Sequence, residues 1–192
     1  MKLHHQILFI LLWNVFGFSQ TLETLKSETQ KMYDASYNMD YETILDYTHP
    51  KILELVNRDQ MILAMEQTFE NEQLKIRFVH SNPTFIYSDV KTIDGKSFCR
   101  VSYVNTMRMT FEDKLTPKRA EEMVEDFKSS GDYSTVRFEK DRNSFFIEAK
   151  SIMIAISDEY TKGTWKFINY SKRQTADSEM LVGKEAMKAL GL

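Results

Sequence analysis

The stretch FCRVSYVNTMRMTF, residues 98–111, decides the fold. Every second residue from Cys99 to Phe111 is apolar or aromatic except Asn105, whereas the residues between them include arginine, serine and threonine. A period of two residues is typical of a β-strand with one buried face, because successive side chains point to opposite sides of a sheet. The stretch therefore predicts a long strand whose odd-numbered residues face a core or a cavity.

Further strands are predicted on both sides of this one. They are rich in β-branched and aromatic residues, and hairpin signals such as Asp94-Gly95 and EKDRN separate them. The predicted strands are LKIRFV from Leu74, TFIYSDV after Pro83, the segment through Val136 and Phe138, Phe145 to Ile156, and GTWKFINYS at 163–171. Strands joined by short turns predict an antiparallel sheet.

The residues before Leu74 predict helices. Apolar residues recur at helical spacing from Leu22, and Asp40 is a suitable N-cap for a second helix. In DYTHP, residues 46–50, Pro50 disfavours helical geometry at His49, so we expect one helix to end there and the next to begin at Pro50. Helices followed by an antiparallel sheet predict the α+β class.

Two more helices are predicted later in the chain. Thr116-Pro117 opens an amphipathic helix over about 117–129, inserted between strands, with Gly131 just past its end. The apolar spacing of the last residues predicts a C-terminal helix over about 176–190.

The composition excludes several classes of protein. Hydrophobic residues make up 42% of the 192 residues and charged residues 28%, which is typical of a globular protein. The 25 basic residues form no block and are outnumbered by 28 acidic ones, so we expect no nucleic-acid partner. Cys99 is the only cysteine, which excludes an intrachain disulfide and indicates a small buried residue.

Residues 1–20 have the pattern of a secretory signal peptide. A short basic start is followed by the apolar run ILFILLWNVF, about half the roughly 20 residues of a membrane-spanning helix, and then by GFSQ. An uncleaved N-terminal anchor is the alternative. We expect a secreted or periplasmic bacterial protein without a stable membrane span, in which residues 21–192 form a single domain.

The same alternation suggests a ligand pocket. Residues on the expected inner side are mainly apolar with a few polar groups, which is the usual chemistry of a small-molecule site. A packed core or a dimer face would show the same pattern. The pocket candidates are Tyr33, Tyr37, Tyr103, Asn105, Met107, Ser151, Met153, Trp165 and Phe167.

Signatures of cofactor or metal chemistry do not occur in the sequence. There is no Gly-rich phosphate loop, no G-x-S-x-G elbow, and no His/Cys pair with ligand spacing on a common helix. We therefore expect no cofactor and no metal.

The order of elements resembles that of the NTF2-like superfamily, which includes SnoaL-like proteins, ketosteroid isomerase and scytalone dehydratase. The segments that carry the resemblance are DYTHPKILEL at 46–55, ISDEYTKGTWKFINYS at 156–171 and SEMLVGKEAMKAL at 178–190. The chain is most similar to small exported NTF2-like proteins of Bacteroidetes. The helix at 117–129 departs from the compact members of the superfamily.

The resemblance implies a cystatin-like cone, in which N-terminal helices pack on a strongly curved antiparallel sheet. The apolar inner face and the missing catalytic signatures favour a non-catalytic module that binds a small apolar ligand or a protein partner, with a homodimer as one form. The alternative is an isomerase- or dehydratase-like enzyme with Asp46 as base and His49 as acid. The hydrogen-bond donor in that case is Tyr33, Tyr37, Tyr103 or Asn105. A structural reading of the pair remains open, in which Asp46 contacts the backbone or His49 and His49 caps the helix that Pro50 begins.

Overall fold

The computed structural model describes residues 16–131 and 133–192, which form helices on both faces of one antiparallel sheet. The helices are α1 (Phe16–Tyr37), α2 (Tyr41–Tyr47), α3 (Pro50–Leu55), α4 (Arg58–Phe69), α5 (Pro117–Ser129), α6 (Thr175–Val182) and α7 (Lys184–Ala189). The strands are β1 (Leu74–Phe78), β2 (Ile86–Tyr87), β3 (Lys91–Ile93), β4 (Lys96–Phe111), β5 (Tyr133–Glu139), β6 (Ser144–Ser157) and β7 (Lys166–Tyr170). The predicted α+β class is confirmed.

Local sequence signals explain where several helices begin. The Asp40 carboxylate accepts a hydrogen bond from the Thr43 N–H at 3.1 Å and caps α2. The Thr116 hydroxyl accepts one from the Arg119 N–H at 3.2 Å and caps α5, the predicted inserted helix. The predicted C-terminal helix is divided into α6 and α7, because Gly183 adopts a positive φ of 89° that ends the first of them.

The sheet is built around two long strands. Its main order is β1-β4-β6-β5, while β2 and β3 pair with β4 and β7 pairs with β6. The pairing of β4 with β6 runs without a break from Ser97↔Ser157 to Thr110↔Ser144. Residues with odd numbers in β4 and β6 share one face, which we call the odd face, and the others form the even face.

Two helices cover different halves of the odd face. The α1 residues Leu25 and Met32 pack on Cys99, Val101, Met153, Ala155 and neighbouring residues. The α5 residue Ala120 packs on Phe145 and Ile147, next to the start of β6. A strand of 16 residues is about 50 Å long, more than the roughly 33 Å of a 22-residue helix. Because α1 is shorter than β4, a second helix, α5, is needed to cover the rest of the odd face.

The even face is covered at one end by the C-terminal helices. Phe98, Ile154 and Ile168 form a buried cluster there with Val182, Ala186, Met187 and Leu190 of the α6–α7 region. The first part of β4 is therefore buried on both faces.

Helices α3 and α4 pack loosely by comparison. Neither contains a fully buried residue, and Leu55 and Leu63 are 65% and 53% exposed. Arg58 at the start of α4 is held by Glu42 and Asp46, and Phe69 at its end packs edge-on against Phe78. In the ranges 16–131 and 133–192, no helix combines the length and the hydropathy needed to cross a membrane.

Candidate ligand-binding site

Four of the predicted pocket residues are part of the core beside α1. Tyr33, Met153, Trp165 and Phe167 are each at most 3% exposed. The Tyr33 ring packs against three other rings, those of Phe78, Phe85 and Tyr103, with centroids 5.7–6.0 Å away. Its hydroxyl donates a hydrogen bond to the His80 carbonyl at 2.8 Å. These side chains are occupied by packing and offer no surface to a ligand.

Burial also affects the ionisation of two tyrosines in this region. Burial raises the pKa of Tyr33 to about 12, with smaller contributions from Tyr37 and Asp34. Burial likewise raises the pKa of Tyr103 to about 12. Both phenols therefore stay protonated well above neutral pH, and the Tyr33 hydroxyl keeps its hydrogen bond to the His80 carbonyl.

The other candidates on β4 and β6 lie between the two helices of the odd face. Tyr103 pairs with Ser151 and Asn105 pairs with Ala149 in the strand register. We call these four residues the central strip. Tyr103, Ala149 and Ser151 are partly exposed, because α1 covers the sheet on one side of them and α5 on the other. Met107, the next candidate, packs with the α5 cluster, and Tyr37 is partly buried at the end of α1.

Asn105 is the unusual member of the central strip. It is 8% exposed, and its side-chain oxygen Oδ1 is buried without a hydrogen-bond partner in the described part of the chain. A buried acceptor without a partner costs about 1–3 kcal/mol relative to a paired one, and such groups are uncommon in native proteins. The Asn105 oxygen is thus a buried acceptor that the described residues leave unpaired.

The histidine of the DYTHP segment is buried in a hydrogen-bonded pair. His49 is 1% exposed, and its Nε2 lies 3.2 Å from the Asp158 carboxylate. Its Nδ1 accepts a hydrogen bond from the Lys51 N–H at 3.4 Å, so His49 is the N-cap of α3. These two contacts together require the tautomer with its proton on Nε2.

Asp158 lies in the turn between β6 and β7 and completes this arrangement. Its Oδ1 accepts hydrogen bonds from the backbone N–H groups of Tyr160 and Thr161, each at 3.0 Å. The carboxylate therefore ties the start of α3 to the turn before β7. The backbone N–H of His49 adds a bond to the Phe167 carbonyl at 3.0 Å.

The structure does not join Asp46 to His49. The Asp46 carboxylate is 68% exposed and pairs with Arg58 at 2.9 Å. Because Pro50 breaks the helix, His49 instead faces Asp158, 109 residues away in sequence. Asp158 is not among the residues predicted from the sequence, because no local pattern marks it as the partner of His49.

Two surface cavities lie away from the predicted pocket. One, of about 560 Å³, lies beside α5, and the other, of about 200 Å³, lies between the β3–β4 turn and α7. No predicted pocket residue lines either of them. Among the described residues, no three histidine, cysteine or carboxylate side chains come together as a metal site. Burial raises the pKa of the Cys99 thiol, which makes it a poor nucleophile.

A scan against models of known protein families matches none of them, and a search among curated proteins finds no match to the chain.

Proposed function

We propose that this chain is an exported, NTF2-like binding module whose ligand is a small and mainly apolar molecule held at the central strip. The order of elements supports the fold assignment, since helices precede an antiparallel sheet and the chain breaks at DYTHPK before α3. The strand that follows Gly163-Thr164-Trp165 supports it too. The pattern of residues 1–20 supports export.

The observation that carries the proposal is the unpaired Asn105 oxygen. The residues around it are an aromatic ring, a methyl group and a thioether, from Tyr103, Ala149 and Met107. A ligand with an apolar body and one hydroxyl or N–H group would match this surface, because its donor would satisfy Oδ1. A site that binds a polar group also discriminates against analogues that lack it, since Asn105 would then remain unpaired.

Binding is favoured over catalysis by the state of the acid/base candidates. A general base needs a free nitrogen or carboxylate within reach of the substrate. Both ring nitrogens of His49 are hydrogen-bonded, and the residue is buried. The Asp46 carboxylate lies at the surface and is paired with Arg58. Neither residue is arranged for proton transfer.

Native mass spectrometry of protein purified from its own host tests the proposal. We expect a small molecule to accompany the wild-type chain and to be lost from Asn105→Leu, because that change removes the acceptor without opening a large cavity. Tyr33→Phe is a matched control, since the Tyr33 hydroxyl is already used by His80. A ligand-free monomer would refute the proposal, and a ligand-free dimer would favour a protein partner instead.

A further inference from the structure

The larger cavity is a groove along one side of α5. Its volume of about 560 Å³ lies within the roughly 300–1,000 Å³ of small-molecule sites. Half of its lining is apolar, and the charged residues include two lysines. The lining residues are Lys114, Leu115, Pro117, Ala120, Glu121, Val124, Glu125, Phe138, Lys140 and Asn143. None of them belongs to the central strip.

Asn143 builds the end of the groove where α5 begins. Its side-chain oxygen accepts a hydrogen bond from the Leu115 N–H at 2.9 Å. Its side-chain nitrogen donates to the carbonyls of Phe111 and Asp113 at 2.8 and 2.9 Å. Asn143 also donates its backbone N–H to Lys140 at 3.2 Å. These bonds bring the loop with Lys114 and the turn with Lys140 to the same end of the groove.

The two lysines at this end are Lys114 and Lys140. In the part of the chain that the structure describes, neither Lys114 nor Lys140 takes part in an ion pair. Lys140 has two acidic neighbours in sequence: Glu139 is already bound by Arg108 at 2.9 Å and by Arg137 at 3.1 Å, and Asp141 forms no ion pair with the lysine among the described residues. These bonds, from Arg108 first, hold the pKa of Glu139 below its usual range. Both ammonium groups are thus available to an anion.

The carboxylates of the groove lie further along α5. Glu121 and Glu125 follow Pro117 by about 6 and 12 Å along the helix axis, at 1.5 Å per residue. Glu125 is engaged by Lys128 at 3.2 Å. A negative group would be repelled at this end and attracted at the lysine end, so the charges define one orientation for a ligand.

We propose that the groove binds an amphipathic carboxylate, with its alkyl chain on the apolar lining and its carboxylate between Lys114 and Lys140. The methyl groups of Leu115 and Val124, the Ala120 methyl and the Phe138 ring bury the chain. The two ammonium groups supply charge-assisted hydrogen bonds to the head. This site is separate from the central strip, so the two proposals can be tested independently of each other.

The test compares decanoate with 1-decanol, which has the same chain and a neutral head. Binding is measured by calorimetry, and the site is located by the methyl NMR signals of Leu115, Ala120 and Val124. We expect decanoate to shift these signals and to bind at least about ten-fold more tightly than 1-decanol. The double variant Lys114→Gln/Lys140→Gln should remove this preference while leaving 1-decanol binding unchanged.

The controls separate this site from other effects of charge. Lys118→Gln/Lys188→Gln removes two exposed lysines, from α5 and α7, that neither line the groove nor pair with its carboxylates, so it should leave the preference for decanoate intact. Asn105→Leu should also leave decanoate binding intact. Equal affinity for the two ligands would overturn the proposal. So would the absence of binding, or signals that shift only near Val101 and Met153.

Discussion

Asn105→Leu is expected to stabilise the protein while abolishing the ligand binding that we propose for the central strip. Leucine has the same number of side-chain heavy atoms and the same branching as asparagine, although it is bulkier, and it replaces an unpaired polar oxygen by carbon. Relief of an unsatisfied buried acceptor is worth about 1–3 kcal/mol. Repacking around the bulkier leucine side chain costs about 1 kcal/mol. The free energy of unfolding should therefore rise by up to about 2 kcal/mol.

Urea denaturation followed by tryptophan fluorescence measures this change. The protein should first be unfolded and refolded to remove any bound molecule, because a ligand on the wild-type chain would stabilise it and mask the gain. For a domain of this size, a gain of up to about 2 kcal/mol corresponds to a rise in Tm of up to about 8 °C. A second measurement, the loss of the co-purifying molecule, links the stability gain to function.

Asn143→Leu is the matched control, because this asparagine has three side-chain hydrogen bonds where the Asn105 oxygen has none. It should destabilise the protein by about 2 kcal/mol or more. A loss of stability in Asn105→Leu of about 1 kcal/mol or more would refute the reasoning. It would mean that the Asn105 oxygen is already satisfied in the ligand-free protein, for example by an internal water.

Three further predictions concern other parts of the structure. His49→Ala should lower the free energy of unfolding by about 3 kcal/mol, since it removes the cap of α3 and leaves the buried Asp158 carboxylate without one partner; a loss below about 1 kcal/mol in thermal denaturation would contradict this. Asn143→Ala should be less stable than Asn143→Gly by about 1–2 kcal/mol, because the residue has a φ of 48° that glycine tolerates and alanine does not; equal urea midpoints would argue against it. Burial raises the pKa of Tyr33 to about 12 from a usual value near 10, so the unfolded chain releases this proton first. The stability contributed by the protonated Tyr33 is fully present below about pH 10. Between pH 10 and 12 the free energy of unfolding should fall by about 1.4 kcal/mol per pH unit. Urea denaturation of the wild-type chain at a series of alkaline pH values should show this fall, and Tyr33→Phe should lack it.

The parts of the fold that the sequence predicts are those set by neighbouring residues. Asp40 and Thr116 lie directly before the helices that they cap, and Pro50 fixes both the end of one helix and the start of the next. The period of two in β4 depends only on the side chains of that strand. Such signals are local, so they predict the same helix or strand whatever tertiary structure the rest of the chain adopts.

The parts that the sequence does not predict depend on distant residues. The pair of His49 and Asp158 joins an interhelical break to a turn 109 residues later. The alternation in β4 marks one face as apolar but does not say that α1 fills one half of it and α5 the other. For this reason the sequence pattern does not distinguish whether Trp165 and Phe167 line a pocket or belong to the core. Asn143 had a weak signal, since asparagine at a turn favours a positive φ, but its role in the groove emerges only in three dimensions.

The loose packing of α4 means that this helix can unfold locally, at a lower free energy than the rest of the domain. Because it buries no residue completely, its detachment exposes little apolar surface, and the free energy of this opening is only a fraction of that of global unfolding. Its amide hydrogens should then exchange with solvent through a local event. The amide hydrogens of β4, a strand paired on both edges, should exchange only when the whole domain unfolds. The molecule thus contains a segment that can rearrange on its own while the sheet remains intact.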